Sequence, residues 1–597
     1  KGQQMKAFIF ILAFLIFSCT SANEIKWYNF EEGLKKAKQE NKLILLDISA
    51  KWCHYCNLME TTTYSNPEIV SIVNQYYIPV KVDADLRKDI NKKYNQGGLP
   101  TTAILTPDGE ILYGNLYLPP DDMKKVLMYF AKLSKEELER LKQQKNLASK
   151  PNLKLQENQI DEDTYKLIKT RTLSLIDKEY GGYYDEVKFP IDNIVYFLIL
   201  NYIENENKEN KQILTKTLEG YEKLIDTEEG GIFRYATKRD WTSPHYEKLL
   251  RDQALISVAF FNAYSVLNDK KLLEDANKIL NFAKNVLYDS KNGYFYGSQG
   301  ADIVDDEGKI LVSGEIYFSK NKQDREFLES VYRRKLPIDK TFYFAENSLM
   351  VKALVYSYIF NNNSQDLATA ENLMKKIIKE GLKDKGIIHT YSVKKYFLDT
   401  QVNTLESLFL LYQVTGDNFY LKTFKDLLYK VLKNYYSKEI GLYTDYEDTG
   451  LNLNRISYID SLVSLNLKLA KVIYSYQLLD NNELLEKTKN SILKRLINFN
   501  SVEAGLSAYL YLKPPLFLVY VSERRDFDKN LLSFFPYWNV ALSFSSKDTL
   551  LSKIGYPYEG YPVVYVCSLK LCFNKFEKSK ITKDSIKNVF EKYLKSN

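Results

Sequence analysis

Histidine is nearly missing from this chain: His54, His245 and His389 are the three it has in 597 residues. A zinc centre built on several imidazoles cannot be assembled from so few, so no metal cofactor is expected. Cysteine is scarce too, with five residues, which excludes a small fold held mainly by disulfides. Neither sign of charge dominates. Lys and Arg number 83 against 76 Asp and Glu, a net charge of +7 with no long run of one sign, and nucleic acid is not an expected partner. Long apolar runs are also lacking, except for AFIFILAFLIF at Ala7–Phe17, which falls short of the roughly 20 residues that span a bilayer. What remains is ordinary globular composition, 45% hydrophobic and 27% charged, with 48 Tyr and 31 Phe. Any groove should therefore have aromatic walls, and the length calls for two or more domains.

The apolar run follows Met5-Lys6 and precedes SCTSANE, so residues 1–22 read as a secretory signal with Met5 as its start. Three outcomes stay open. Cleavage after Thr20-Ser21-Ala22 gives a soluble product; Ile16-Phe17-Ser18-Cys19 resembles a lipoprotein box with Cys19 as the lipidated residue; the segment is a plain membrane anchor. Apart from Cys19, the cysteines fall into two close pairs, Cys53/Cys56 and Cys567/Cys572. Local pairing suits an oxidising, extracytoplasmic location, periplasmic or secreted. A lipid at Cys19 is the membrane attachment expected.

Residues 23–145 alternate helix and strand. FEEGLKKAKQENK is amphipathic, Leu43–Ala50 is a buried strand, IPVKVDAD a second, AILTPDGEILYG a third, and a closing helix starts at Asp121. The first strand runs into Trp52-Cys53-His54-Tyr55-Cys56 and a following helix. That junction places Cys53 at a helix N-terminus, where the dipole favours a thiolate, and Cys56 one turn later, where it can close a disulfide onto Cys53. A static structural disulfide is the plainer alternative. DISAKWCHYC, VDAD and GGLPTT resemble thioredoxins. The resemblance implies a cis peptide at Leu99-Pro100, a client-binding backbone at Pro100, and a buried acid at Asp47 that assists proton transfer.

A polar stretch at 146–160 reads as a linker, and 161–597 is dominated by amphipathic helices such as ILTKTLEGYEKLID, SLMVKALVYSYIF and YLKTFKDLLYKVLKNYY. Glycine followed by apolar or aromatic residues returns at Gly182, Gly231, Gly293, Gly386, Gly441 and Gly505. Six such loops suggest about twelve helices in hairpins, closed into an (α/α)6 toroid or left as an open solenoid. The expected fold is thus an α/β thioredoxin-like domain followed by an all-α toroid. Within VVYVCSLKLCFNKF, Cys567 and Cys572 suit a disulfide-closed hairpin.

This domain order, with WCHYCNLME, GGYYDEVKFP, GGIFRYATKRDWTSPHYEKLLRDQA, LPIDK and YVCSLKLC, resembles the spermatogenesis-associated protein 20 family. The resemblance implies a toroid similar to six-hairpin glycosidases and sugar epimerases. Asn57 stands where that family commonly has His, and Glu346-Asn347 where it commonly has Trp-Asn.

The densest chemical constellation is Arg234, Tyr235, Asp240, Trp241, His245, Glu247, Lys248, Arg251 and Asp252. Ser243-Pro244 reads as a helix start, which puts His245 at a helix mouth and makes Glu247/Arg251 a one-turn ion pair. Asp252 or Glu247 is the candidate acid or base in the funnel, with Asp185, Asp302, Asp339, Glu346 and Asp399 at other loop–helix junctions. The expected activity is thiol–disulfide exchange through Cys53 and Cys56, with a protein thiol or disulfide as client and no cofactor beyond that disulfide. The alternative is a carbohydrate-active or carbohydrate-binding toroid with an auxiliary thioredoxin-like domain.

Overall fold

Two units make up the chain, the first running to Pro151 and including Val304–Leu311, the second beginning at Asn152. The computed structural model describes residues 24–148, 155–446 and 456–596. The expected signal segment with Cys19 and the middle of the expected linker lie outside the described residues.

In the first unit, α1 (Phe30–Glu40) starts at Asn29, whose side chain accepts from Glu32 N at 2.9 Å. It leads into β1 (Leu43–Ser49), then α2 (His54–Thr62), α3 (Pro67–Tyr76), β2 (Tyr77–Asp83), α4 (Lys88–Tyr94), β3 (Thr101–Leu105), β4 (Ile111–Asn115), α5 (Pro120–Lys132) and α6 (Lys135–Ala148). Sheet order is β2-β1-β3-β4; β1 and β2 are parallel, while β3 is antiparallel to β1 and β4. Both faces are covered. Leu45 packs with Met59, Val73 and Leu127 on one side, and Ile44 and Leu46 with Ala37, Val80 and Leu105 on the other. Such double burial explains why β1 has no polar alternation. The expected single strand at AILTPDGEILYG is two strands. Pro107-Asp108-Gly109 turns the chain, with Gly109 at φ 86° and Thr106 N donating to Glu110 O at 2.8 Å.

In the second unit, twelve helices alternate between an outer and an inner layer. The outer ones are α7 (Glu162–Ser174), α9 (Lys208–Glu222), α11 (Lys270–Phe282), α13 (Ser364–Gly381), α15 (Asn418–Asn434) and α17 (Glu483–Leu496). The inner ones are α8 (Asp192–Glu204), α10 (Leu250–Leu267), α12 (Phe344–Asn361), α14 (Leu398–Thr415), α16 (Ile456–Gln477) and α18 (Val502–Leu512). Each inner helix packs on the next, and α18 returns to α8, so the ring closes. The first outer helix, α7, packs against the last inner one, α18. Closure through the chain's two ends excludes the open solenoid.

The two layers start differently. Every outer helix is N-capped by an Asp or Asn side chain, in order Asp161, Asn207, Asp269, Asn363, Asp417 and Asn482. The inner helices α8, α10, α12, α14 and α18 have no side-chain cap and carry an acidic residue in the first turn instead. Short turns join inner to outer helices through left-handed residues such as Asn268, Asn362 and Gly416. The outer-to-inner connections are longer and form the rim of the ring.

A recurring contact pins those rim loops. Gln253 on α10 accepts from Ile232 N at 2.7 Å and donates to Ile232 O at 2.9 Å. Asn347 on α12 does the same with Phe295, Gln401 on α14 with Ile387, and Asn466 on α16 with Tyr443. All four carboxamides are fully buried. Each clamps the residue one or two places after a left-handed rim glycine, Gly231, Gly293, Gly386 or Gly441. Gly505 is an exception to the expected loop series. It lies within α18, where a Cβ would come 2.6 Å from the Phe197 ring, so it is a helix-packing glycine.

The far end of the chain departs from the all-α expectation. Strands β5 (Phe517–Ser522), β6 (Val540–Ser545), β7 (Val563–Cys567) and β8 (Cys572–Glu577) form a sheet in the order β6-β5-β7-β8, followed by α19 (Lys583–Lys595). The first three are buried on both faces, so they read as apolar runs without a period of two. The Cys567–Cys572 disulfide joins the β7–β8 hairpin, as its spacing suggested. The segment between β5 and β6 plugs the C-terminal end of the ring. Asn262 and Ser265, late on α10, accept from Tyr537 N and Phe535 N at 2.9 Å, and Tyr537 stacks on Tyr196 at 3.5 Å.

Replacing Gln401 by Leu should leave the Ile387 N–H and C=O buried without partners. The expected loss is about 3 kcal/mol, read as a lower denaturant midpoint in chemical unfolding of the full chain.

Candidate functional site

Cys53 is the N-cap of α2, and its Sγ accepts from Cys56 N at 3.2 Å. The two cysteines form a disulfide, with 4% and 8% of their surfaces exposed. Trp52, ahead of them, is anchored by a 2.7 Å bond from its Nε1 to Asp85 Oδ2. Exposed Tyr55 packs beside Tyr117. The helix start is what makes this cysteine special: its N-terminal amides stabilise sulfur carrying negative charge. The Leu99-Pro100 peptide is cis, as the thioredoxin resemblance implied, and Pro100 leads directly into β3.

Asp47 sits on β1 opposite Lys81 on β2 and Thr102 on β3. It is 2% exposed, and burial raises its carboxyl from 3.8 to about 6, with Lys81, 3.6 Å away, opposing the rise. An acid so placed gives up and regains a proton near neutral pH, which suits a proton relay inside the sheet. The raised value also fixes a sign for stability. Protonated Asp47 costs nothing extra below pH 3.8. As pH rises from there the unfolded chain ionises while the buried carboxyl stays protonated, so stability falls, and the loss is complete once the folded group ionises at about 6. Asp47→Asn should therefore stabilise the protein by about 3 kcal/mol above that range and leave stability unchanged near pH 3.8. Thermal unfolding of both proteins across this range checks it; a difference independent of pH would contradict the assignment.

In the toroid the sequence-selected residues divide. His245 is not at a helix start. Pro244–His245 is a short strand paired with Tyr235–Ala236, and Ser243 has φ 56°, a conformation no N-cap adopts. The α10 helix begins only at Leu250. Glu247 therefore lies ahead of the helix and cannot form the expected one-turn pair with Arg251. His245 lies beside it instead, with Nδ1 3.8 Å from Oε2. Burial opposes ionisation of Glu247, but His245 and Arg234 hold its carboxyl below the usual range. His245 stacks on Tyr235, which stacks on exposed Phe189, and Arg234 lies over Tyr235.

Trp241 is 2% exposed and belongs to the wall: its Nε1 donates to Tyr180 O and its ring meets Tyr221 edge-on. Lys248 is equally structural, buried on Asp226 at 2.8 Å. Asp339 accepts from the Thr341 and Tyr343 hydroxyls at 2.7 Å, and Asp302 accepts from Gly314 N. These two carboxylates hold loops. Asp185 is exposed.

Asp252, Glu346 and Asp399 do come together, each in the first turn of an inner helix. With Asp192 they set the field around Arg251, whose side chain is 60% exposed and lies 3.6 Å from Asp252. Burial raises the Asp252 carboxyl against the pull of Arg251 and Arg234. Sequence reading missed Asp192 and Glu503, first-turn acids of α8 and α18. The signal that finds them is the repeat itself: an acid at the start of each uncapped inner helix.

Residues 15–158 match the Thioredox_DsbH family, described as a protein of unknown function, DUF255. Over 376 residues, 58% of this chain, the sequence is 29% identical to spermatogenesis-associated protein 20 of Mus musculus, covering 47% of that protein. The chain thus spans about half the length of the curated relatives it matches. Among solved structures, a cellobiose 2-epimerase from Bacillus thermoamylovorans is similar over 55% of this chain and 85% of its own, at 13% identity and a TM-score of 0.41. A DsbH oxidoreductase is similar over 19% of this chain and 87% of its own, at 18% identity and a TM-score of 0.18. The chain thus carries a domain that matches the Thioredox_DsbH family ahead of a six-hairpin helical toroid, and over somewhat more than half of its length it is similar in sequence to spermatogenesis-associated protein 20.

Proposed function

We propose that the protein is an exported thiol–disulfide oxidoreductase acting through Cys53 and Cys56. The observation that carries this reading is the Cys53–Cys56 disulfide at the N-terminus of α2, with Cys53 Sγ bonded to the Cys56 amide. In the reduced protein the Cys53 thiolate attacks a client disulfide, forming a mixed disulfide and releasing one client thiolate. Cys56 gives its proton to Asp47, and its sulfur attacks Cys53 Sγ. The Cys53–Cys56 disulfide forms and the second client thiolate leaves. Two electrons pass from the protein dithiol to the client, and the client thiolates take up the two protons lost. Pro100 presents backbone to the extended client. Export rests on the apolar segment at 7–17 and on the local pairing of the cysteines.

Insulin reduction driven by dithiothreitol tests the reading. Cys53→Ser should abolish the protein-dependent rate, and Cys56→Ser should trap a mixed disulfide visible by mass spectrometry. A Cys53→Ser protein as active as the original would end the redox assignment.

A second reading is favoured by the acids at the toroid mouth. Asp252 is pushed towards the protonated form and Glu247 towards the ionised one, the division of labour that acid–base chemistry on a sugar needs. The Phe189–Tyr235–His245 stack offers an aromatic face beside them. Glycan-array binding that Asp252→Asn or Glu247→Gln weakens, while insulin reduction persists, would support it. Binding unaffected by either change would remove it.

A further inference from the structure

Beyond the rim, the middle of the ring holds a second cluster that none of the preceding chemistry uses. Lys352 from α12, Glu406 from α14, and Lys468 and Lys471 from α16 converge there. Lys352 Nζ donates to Glu406 Oε1 at 2.7 Å, and Lys468 Nζ stands 3.7 Å from Glu406 Oε2 while donating to Asn403 at 3.0 Å. Lys471 is different. It is 92% buried, taking 8% exposure from the whole, and its ammonium lies over the Tyr537 ring at 3.6 Å with no hydrogen-bond acceptor among the described residues.

A cavity of about 40 Å³ opens beside it, lined by Lys352, Glu406, Lys471, Tyr537, Trp538 and Asn539. Its space is that of about three water-sized atoms. The Trp538 indole N–H, also buried, has no acceptor either. Two buried donors without acceptors thus line one small cavity, beside two buried acceptors without donors, Glu406 Oε2 and Asn539 Oδ1. Three lysines also face one carboxylate there: burial and the neighbouring Lys352 and Lys468 push Lys471 down to about 7, and burial shifts the nearby Asp192 towards its neutral form. Uncompensated positive charge in a protein interior is costly unless an anion completes the set.

We propose that this cavity is a binding site for a carboxylate group, held by Lys471 and Trp538 as donors and by the field of Lys352 and Lys468. A ligand of this class has two acceptor oxygens for the two unfilled donors, and its charge offsets the excess. A neutral sugar hydroxyl satisfies one donor and leaves the charge. The carboxylate comes either from a free small acid or from an acidic sugar, and the two sources differ in the atoms that must fit beyond the carboxyl group.

Isothermal titration of the full chain with acetate, glucuronate and the neutral methyl glucoside tests this. Acetate or glucuronate should bind in about the millimolar range, and methyl glucoside should not. Acetate binding with no glucuronate binding assigns the free acid; tighter glucuronate binding assigns the acidic sugar. Lys471→Met should weaken the carboxylate by roughly tenfold or more while raising the melting temperature of the ligand-free protein, because it removes an unpaired buried charge. If that variant does not fold, Trp538→Phe keeps the ring and removes the donor, and should weaken binding roughly fivefold. Absence of binding by both carboxylates, equal affinity in wild type and variants, or only water in the cavity of an acetate-grown crystal would overturn the proposal.

Discussion

The buried carboxamides of Gln253, Asn347, Gln401 and Asn466 each take up both the N–H and the C=O of one rim residue. A loop that leaves a helix layer and crosses to another must otherwise bury backbone polar groups without partners. By supplying those partners from the inner helix itself, the clamp fixes where each rim loop sits relative to the helix start beneath it. The left-handed glycine just before the clamped residue lets the chain reverse tightly enough to reach the carboxamide. The positions of Arg234, His245 and Glu247, all on the loop clamped through Ile232, follow from that tie.

With the rim held this way, the inner helices can begin without side-chain caps. Their first turns carry Asp192, Asp252, Glu346, Asp399 and Glu503, anions at the positive ends of helix dipoles. Deeper in the ring the sign reverses to Lys352, Lys468 and Lys471 around Glu406, where burial works against Glu406 but the lysines hold its carboxyl at about 2. The toroid interior therefore changes from acidic at one end to basic in the middle. The C-terminal segment around Tyr537 closes the other end.

The thioredoxin-like unit solves a different problem with the same tools. A helix start stabilises sulfur at Cys53, and a sheet buried on both faces isolates Asp47 from water while leaving Lys81 within reach. The first effect lowers the cost of a negative charge and the second raises it. The two environments act in opposite directions on negative charge, at either end of one strand–helix junction.

Much of this was legible in the order of residues. The C-x-x-C at a strand–helix junction, the six-hairpin count, the local cysteine pairs and the acids Asp252, Glu346 and Asp399 all follow from periodicity and spacing, which depend on near neighbours in the chain. Other features did not. Ser243-Pro244 has the composition of a helix start, yet Ser243 is left-handed and Pro244–His245 pairs as a strand with Tyr235–Ala236. Trp241 and Lys248 looked like site residues and are wall residues, because Tyr180 and Asp226 reach them from elsewhere. The doubly buried strands of the C-terminal sheet carry no alternation to read. The sequence alone determined which local elements form and where cysteine chemistry is possible; the tertiary structure decided which carboxylates share a mouth and that three lysines on two helices meet one glutamate. That division has a physical cause: helix and turn signals are short-range, whereas the burial and Coulomb fields that set a site's chemistry come from residues brought together only when the ring closes.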